Sequence, residues 1–101
     1  MPPLQITIEG GSPYFMPVTA TVASGTPIRW NNPTGSPHTV THTDCLDDTG
    51  RCWFDSDTIA PDGQFTVPSL PPGRYPYFCR LHPIMRGILI VTESGSGTTQ
   101  L

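Results

Sequence analysis

The chain has 101 residues and a net charge of −3, from eight acids against five arginines and no lysine. That size fits one domain with a modest core, and that charge leaves no electrostatic footprint for nucleic acid. Thirteen prolines and ten glycines cut the chain into short segments, which excludes a helix bundle, and no stretch of 18 apolar residues offers a membrane-spanning helix.

Leu4–Ile8 alternates apolar and polar residues with period two, and residues 18–22 do the same with threonine between. Similar short segments follow at 28–32, 38–42, Gln64–Val67, 75–79 and 87–92, each bounded by Gly, Pro, Asn or Ser. Fourteen threonines against three alanines favour strand over helix. Short strands between turn signals predict an all-β fold, a sandwich or barrel. Residues 88–91 are continuously apolar, which predicts a strand buried on both faces. The stretch 44–62 holds six of the eight acids and reads as one long irregular connection with room for a short helical turn. Residues 1–93 form the expected single domain, and 94–101 a flexible polar tail.

Three cysteines is an odd number. Cys45 and Cys52 flank the turn residues Asp47, Asp48, Thr49 and Gly50, and are expected to form a disulfide that restrains the acidic loop. Such a staple suits an oxidising compartment. The first ten residues carry no signal-peptide pattern, so the expectation is an extracytoplasmic protein whose signal has been removed.

Cys79 is then a thiol that needs its own reason. Cys79, His82 and Met85 are spaced three apart and supply a thiolate, an imidazole and a thioether. These donors disfavour magnesium and calcium and favour copper. Three ligands in seven residues converge only if the chain turns tightly, with Pro83 presetting the turn and Gly87 permitting return to a strand. A fourth ligand must come from elsewhere. His38 follows a turn-rich loop, is pinned by Pro37 and opens a strand. His42 lies four residues along that strand, about 13 Å away at the usual rise, so both cannot bind one ion. His38 is the expected ligand, and His42 a surface or half-buried strand residue.

Two His, one Cys and a weak Met describe a type 1 blue-copper electron-transfer site. From about Pro13 to Val91 the sequence resembles cupredoxins of the plastocyanin and amicyanin type. The resemblance is carried by Phe15 with Pro17, Ile28 to Asn32, Pro37 to Val40, Phe54 to Ser56, Gly73 to Cys79 and His82 to Ile88. The Cys-x2-His-x2-Met loop, with Pro83 after the His, looks most like amicyanin. The resemblance implies a Greek-key sandwich of seven or eight strands, His38, Cys79, His82 and Met85 as copper ligands, and one-electron transfer rather than enzymatic turnover. It places Asn32, Thr39 and Pro83 around the ligands. Those families usually carry Asn directly after the first ligand His. Here Thr39 stands in that place, with a shorter side chain whose hydroxyl can make a similar bond between the two ligand segments. Pro83 has no N–H to give the sulfur, so fewer such bonds are expected.

Pro37, Leu81, Pro83 and Ile84 form an expected apolar collar around the His82 edge, for transient docking of redox proteins to a monomer. Arg80 and Arg86 flank it, as solvated charges or to steer an acidic partner. The acids Asp44, Asp47, Asp48, Asp55, Asp57 and Asp62 read as a solvated loop or a second docking patch. Trp30, Trp53, Phe65 and Tyr75 are expected in the core or packed against a sheet. The competing readings are a zinc site, a copper carrier, a domain of a copper oxidoreductase and a metal-free interaction sandwich.

Overall fold

In the computed structural model, residues 2–47 and 50–93 are described. They form two four-stranded sheets. In chain order the strands are β1 (Leu4–Ile8), β2 (Phe15–Met16), β3 (Thr19–Ala23), β4 (Ile28–Asn31), β5 (Thr41–His42), β6 (Gln64–Val67), β7 (Gly73–Cys79) and β8 (His82–Thr92). One sheet has the order β2-β1-β4-β6 and the other β3-β8-β7-β5. Both are mixed: β1 runs parallel to β4 and β3 parallel to β8, and the remaining neighbours are antiparallel.

Period-two alternation builds the core. Ile6 and Ile8 of β1, Ile28 and Trp30 of β4, Tyr75, Tyr77 and Cys79 of β7, and Met85, Leu89 and Val91 of β8 all point inward and are buried. Gln5, Arg29, Asn31 and Thr66 point outward and bond across the sheet, Asn31 to Gln5 at 2.7 Å and Arg29 to Thr66 at 3.3 Å. Trp30 is the central ring, edge-on to Tyr77 at 5.4 Å and packed against Phe54 and Phe65. Tyr75 is buried in the core, and Trp53 and Phe65 are partly buried and pack against it, both within the expectation.

Four expectations are corrected. Residues 38–42 are not one strand: β5 is only Thr41–His42, and His38 forms an isolated bridge with Ile59. The intervening N–H groups are diverted, Thr39 to the Cys79 sulfur and Val40 to the Ser56 hydroxyl. Strand β8 begins at His82, so Gly87 is not a re-entry point but an interior strand residue paired with Tyr77. Residues 88–91 are buried on one face only, because among the described residues no further layer covers the outer side of Ile88 and Ile90. His42 is a buried residue, stacked on Phe54 with centroids 5.4 Å apart.

The connection from β5 to β6 is irregular, as expected, and opens with a 3₁₀ turn over Thr43–Leu46. Cys45 and Cys52 form a disulfide across it, and Cys79 is the free thiol. Asp48 and Thr49, and the expected tail 94–101, lie outside the described residues.

Gly87 shows how tightly this sandwich is filled. A Cβ there would sit 2.5 Å from Cζ and Oη of the buried Tyr77 ring. Gly87→Ala therefore lowers the unfolding free energy by about 1–3 kcal/mol, the usual range for overpacking, in a urea titration. Gly35→Ala, where nothing lies within 4 Å, changes it by less than about 0.5 kcal/mol. Equal effects from the two would show that the Tyr77 ring simply moves aside.

Candidate metal centre

Three segments meet at one end of the sandwich. The first is the loop before His38, organised by the buried side chain of Asn32. Its amide donates to the Ser36 carbonyl at 2.9 Å and the Ile59 carbonyl at 3.0 Å. Its oxygen accepts the Thr34 N–H at 3.1 Å and the Thr34 hydroxyl at 2.6 Å. The His38 backbone then exchanges two bonds with Ile59, at 3.2 and 2.7 Å. The ring is thereby fixed from its backbone outward.

The second and third segments are the end of β7 and the start of β8. Alternation carries Cys79 inward after Tyr75 and Tyr77, and the pairing slips between Phe78 and Cys79 so that Cys79 faces His82. Only Arg80 and Leu81 make the turn. Cys79 is fully buried and His38 is 4% exposed, whereas His82 reaches the surface. Met85 is buried on the inward face of β8 and lines, with His38, His82, Tyr14 and Ser36, a depression of about 370 Å³.

Both rings turn Nδ1 toward the thiol: Sγ of Cys79 is 3.8 Å from His38 Nδ1 and 3.9 Å from His82 Nδ1. All three donor atoms lie within 4.8 Å of one another. A small ion about 2.3 Å from sulfur and about 2.0–2.1 Å from nitrogen, with the donors about 120° apart, requires an S···N separation of about 3.8 Å. Both sulfur-to-nitrogen separations match that requirement. Burial and the repulsion of His82 hold the His38 pKa below its ordinary value, which favours the neutral, ligating imidazole. A thiolate with two imidazoles suits both copper and zinc.

Among the described residues one backbone N–H reaches the sulfur, that of Thr39 at 3.3 Å. The Thr39 hydroxyl accepts the Arg80 N–H at 2.8 Å, so it bridges the two ligand segments. Pro83 contributes no such bond, and its ring is exposed.

The collar residues Pro37, Leu81, Pro83 and Ile84 are all exposed, Leu81 by 48% and Ile84 by 73%. Arg86 is exposed as well. Arg80 is not a free steering charge: its guanidinium bonds Asp55 Oδ2 at 2.7 and 3.2 Å. Asp55 is correspondingly withdrawn from the acidic group. Burial alone would push its carboxyl up, but hydrogen bonds from Arg80, the Asp57 N–H and Thr41, with the charge of Arg80, hold it below the usual carboxylate range. Asp55, expected only as one acid of the loop or docking patch, is instead bonded to Arg80 and Thr41, and Thr41 had no expected role. The one signal available was the spacing of Thr39 and Thr41, which puts two hydroxyls on one side of an extended segment.

A family model described as a cupredoxin-like domain matches residues 1–91. No curated protein sequence matches the chain. Among solved structures, a purple cupredoxin from Nitrosopumilus maritimus is 24% identical with a TM-score of 0.73, over 88% of this chain and 99% of that one. A reduced amicyanin carrying a single tryptophan-to-tyrosine substitution is 20% identical with a TM-score of 0.74, over 88% and 81%. A copper-containing nitrite reductase from Thermus scotoductus is 24% identical with a TM-score of 0.75, over 91% of this chain but 23% of that one.

His42 stands outside the donor group. Its Nδ1 accepts the Trp53 N–H at 3.3 Å, and its Nε2 lies 3.8 Å from the Asp44 carboxylate. Burial lowers its pKa below the ordinary value, against the smaller raising effects of Asp44 and the Arg51 backbone. A histidine held neutral in the fold contributes stability that is complete above its unfolded pKa of about 6.5 and lost as pH falls from there through the folded value. His38, shifted the same way, adds to this in the metal-free protein. Urea titrations of the metal-free protein therefore show stability declining from pH 7 to 5. His42→Gln, which can still accept the Trp53 N–H, has a flatter profile, and an unchanged slope would show that His42 does not titrate on unfolding.

Proposed function

Since the chain belongs to the cupredoxin-like family, we propose that it is a one-electron carrier using copper held by His38, Cys79 and His82, with Met85 as a weak fourth donor. One observation carries this reading: two imidazole Nδ1 atoms face a single buried sulfur at 3.8 and 3.9 Å, beside a buried methionine. Bound copper supplies the Cu(II)/Cu(I) couple. The protein's part is to keep the donors still, so that little rearrangement accompanies reduction. Asn32 and the Ile59 bridge hold His38, and the β7–β8 pairing holds Cys79 against His82.

His82 is the electron port, because it alone of the three donors reaches solvent. The exposed Leu81, Pro83, Ile84 and Pro37 make an apolar docking ring about it. Brief contact with redox proteins suits such a small apolar surface, and the protein acts as a monomer. The Cys45–Cys52 bridge supports an extracytoplasmic location. The likeness to part of a nitrite reductase supports a second reading, a domain of a copper oxidoreductase. Steady nitrite turnover by the isolated protein would favour it, and freely exchangeable Cu(I) would favour a copper carrier.

Adding Cu(II) gives an intense visible thiolate-to-copper band and an EPR spectrum with narrow parallel hyperfine splitting, and Cys79→Ser abolishes the band. A colourless protein retaining one zinc per chain under excess copper would overturn the reading. Electron self-exchange between two copies, read from NMR line broadening in mixed oxidised and reduced samples, tests the port. Ile84→Asp slows it about tenfold or more by placing like charges face to face, with an unchanged visible spectrum. An unchanged rate would move the port elsewhere.

A further inference from the structure

Asp55 sits in the irregular connection, far from the donors in sequence, yet it ends an unbroken run of hydrogen bonds that begins beside Cys79. The Arg80 N–H, the first after the cysteine, donates to Thr39 Oγ1 at 2.8 Å. Thr39 Oγ1 and Thr41 Oγ1 are 3.1 Å apart, and Thr41 Oγ1 is 3.0 Å from Asp55 Oδ1. The Arg80 guanidinium returns to Asp55 Oδ2 at 2.7 Å and closes the ring. Thr39 and Thr41 are buried, and the backbones of Thr41 and Asp55 form an isolated bridge that fixes their separation.

Chemistry decides where each hydrogen lies. An ionised carboxylate only accepts, so the single Thr41 hydroxyl hydrogen goes to Asp55. Thr41 can then only accept from Thr39, and Thr39 in turn can only accept from Arg80. Every bond points one way, from the Arg80 peptide to the Asp55 charge, and polarisation along such a chain strengthens its members. The closed ring thus clamps the residue after Cys79 to the residue after His38. Thr39 is also the source of the N–H that reaches the Cys79 sulfur at 3.3 Å.

We infer that Asp55 is a positioning residue for this centre, acting through Thr41 and Thr39 to hold the Arg80 peptide and the Thr39 N–H in place against Cys79. It touches no donor atom. Thr39 reaches the Arg80 peptide unaided, and Thr41 and Asp55 fix the direction in which its hydroxyl points. The effect on copper rests on the ligand set proposed above, whereas the ring of bonds itself does not.

Amide hydrogen exchange of the metal-free full chain reads the ring directly. Thr41→Val keeps the shape and removes the hydroxyl. It lowers protection of the Arg80 amide tenfold or more while the Tyr77 and Leu89 amides keep theirs, and Thr41→Ser restores protection to within twofold. With copper bound, loosening the N–H to the sulfur leaves the thiolate more electron-rich and favours Cu(II). The preference for Cu(I) over Cu(II) then falls threefold or more in Thr41→Val, about 28 mV at 59 mV per tenfold. An unchanged Arg80 amide, or a loss spread evenly over β7 and β8, overturns the inference. If Thr41→Val does not fold, Asp55→Ala is read by the same amide and the same criteria. Failure of copper to bind would sink the functional reading and leave the exchange result to decide this one.

Discussion

The Cys79 sulfur is where the two halves of the chain meet. It arrives on the last inward position of β7, is approached by the Thr39 N–H from a segment forty residues earlier, and faces imidazoles from both sides of that divide. A buried sulfur with so few partners holds its place only if its neighbours are fixed independently. His38 is held by its bridge to Ile59 and Thr39 by the Arg80 peptide, while His82 is tied to Cys79 itself by the pairing of β7 with β8. Apolar burial by itself has no direction and would not set three donors at metal-binding separations. The hydrogen bonds at this end supply that direction.

The core and the centre are continuous. The alternation that seats Leu89 and Val91 also seats Met85, and the alternation that seats Tyr75 and Tyr77 also seats Cys79. A one-residue slip of either strand would turn a donor out to solvent. Gly87 guards that register from inside, since only a residue without a side chain lies beneath the Tyr77 ring at its paired position. Packing in the middle of the sandwich thereby controls geometry at its tip.

How legible all this was in the sequence depended on range. Cys79, His82 and Met85 announced themselves because their spacing is local, and the odd cysteine count separated Cys79 from the Cys45–Cys52 pair. The alternating segments gave β1 and β6 with their bounds intact. The failures arose where long-range bonds overrode local pattern. Residues 38–42 looked like a strand, yet their N–H groups serve a sulfur and a serine hydroxyl instead of a ladder. His42 looked like a surface residue because nothing nearby in sequence reveals Phe54 and Tyr75 around it. Asp55 was one acid among six, and its partners Thr41 and Arg80 lie 14 and 25 residues away.

The ion pair between Arg80 and Asp55 has a bearing on how other molecules find this end. With that guanidinium matched, one of the two arginines beside the exposed histidine adds little field of its own, and the exposed Arg86 is left as the other. In the docking proposed above, long-range guidance from the Arg80 side is weak, and capture would be decided in the final few ångströms by fit against leucine, isoleucine and proline. On that proposal, such a surface would tolerate partners of differing charge, and pairing Arg80 would weaken the response of its encounters to ionic strength.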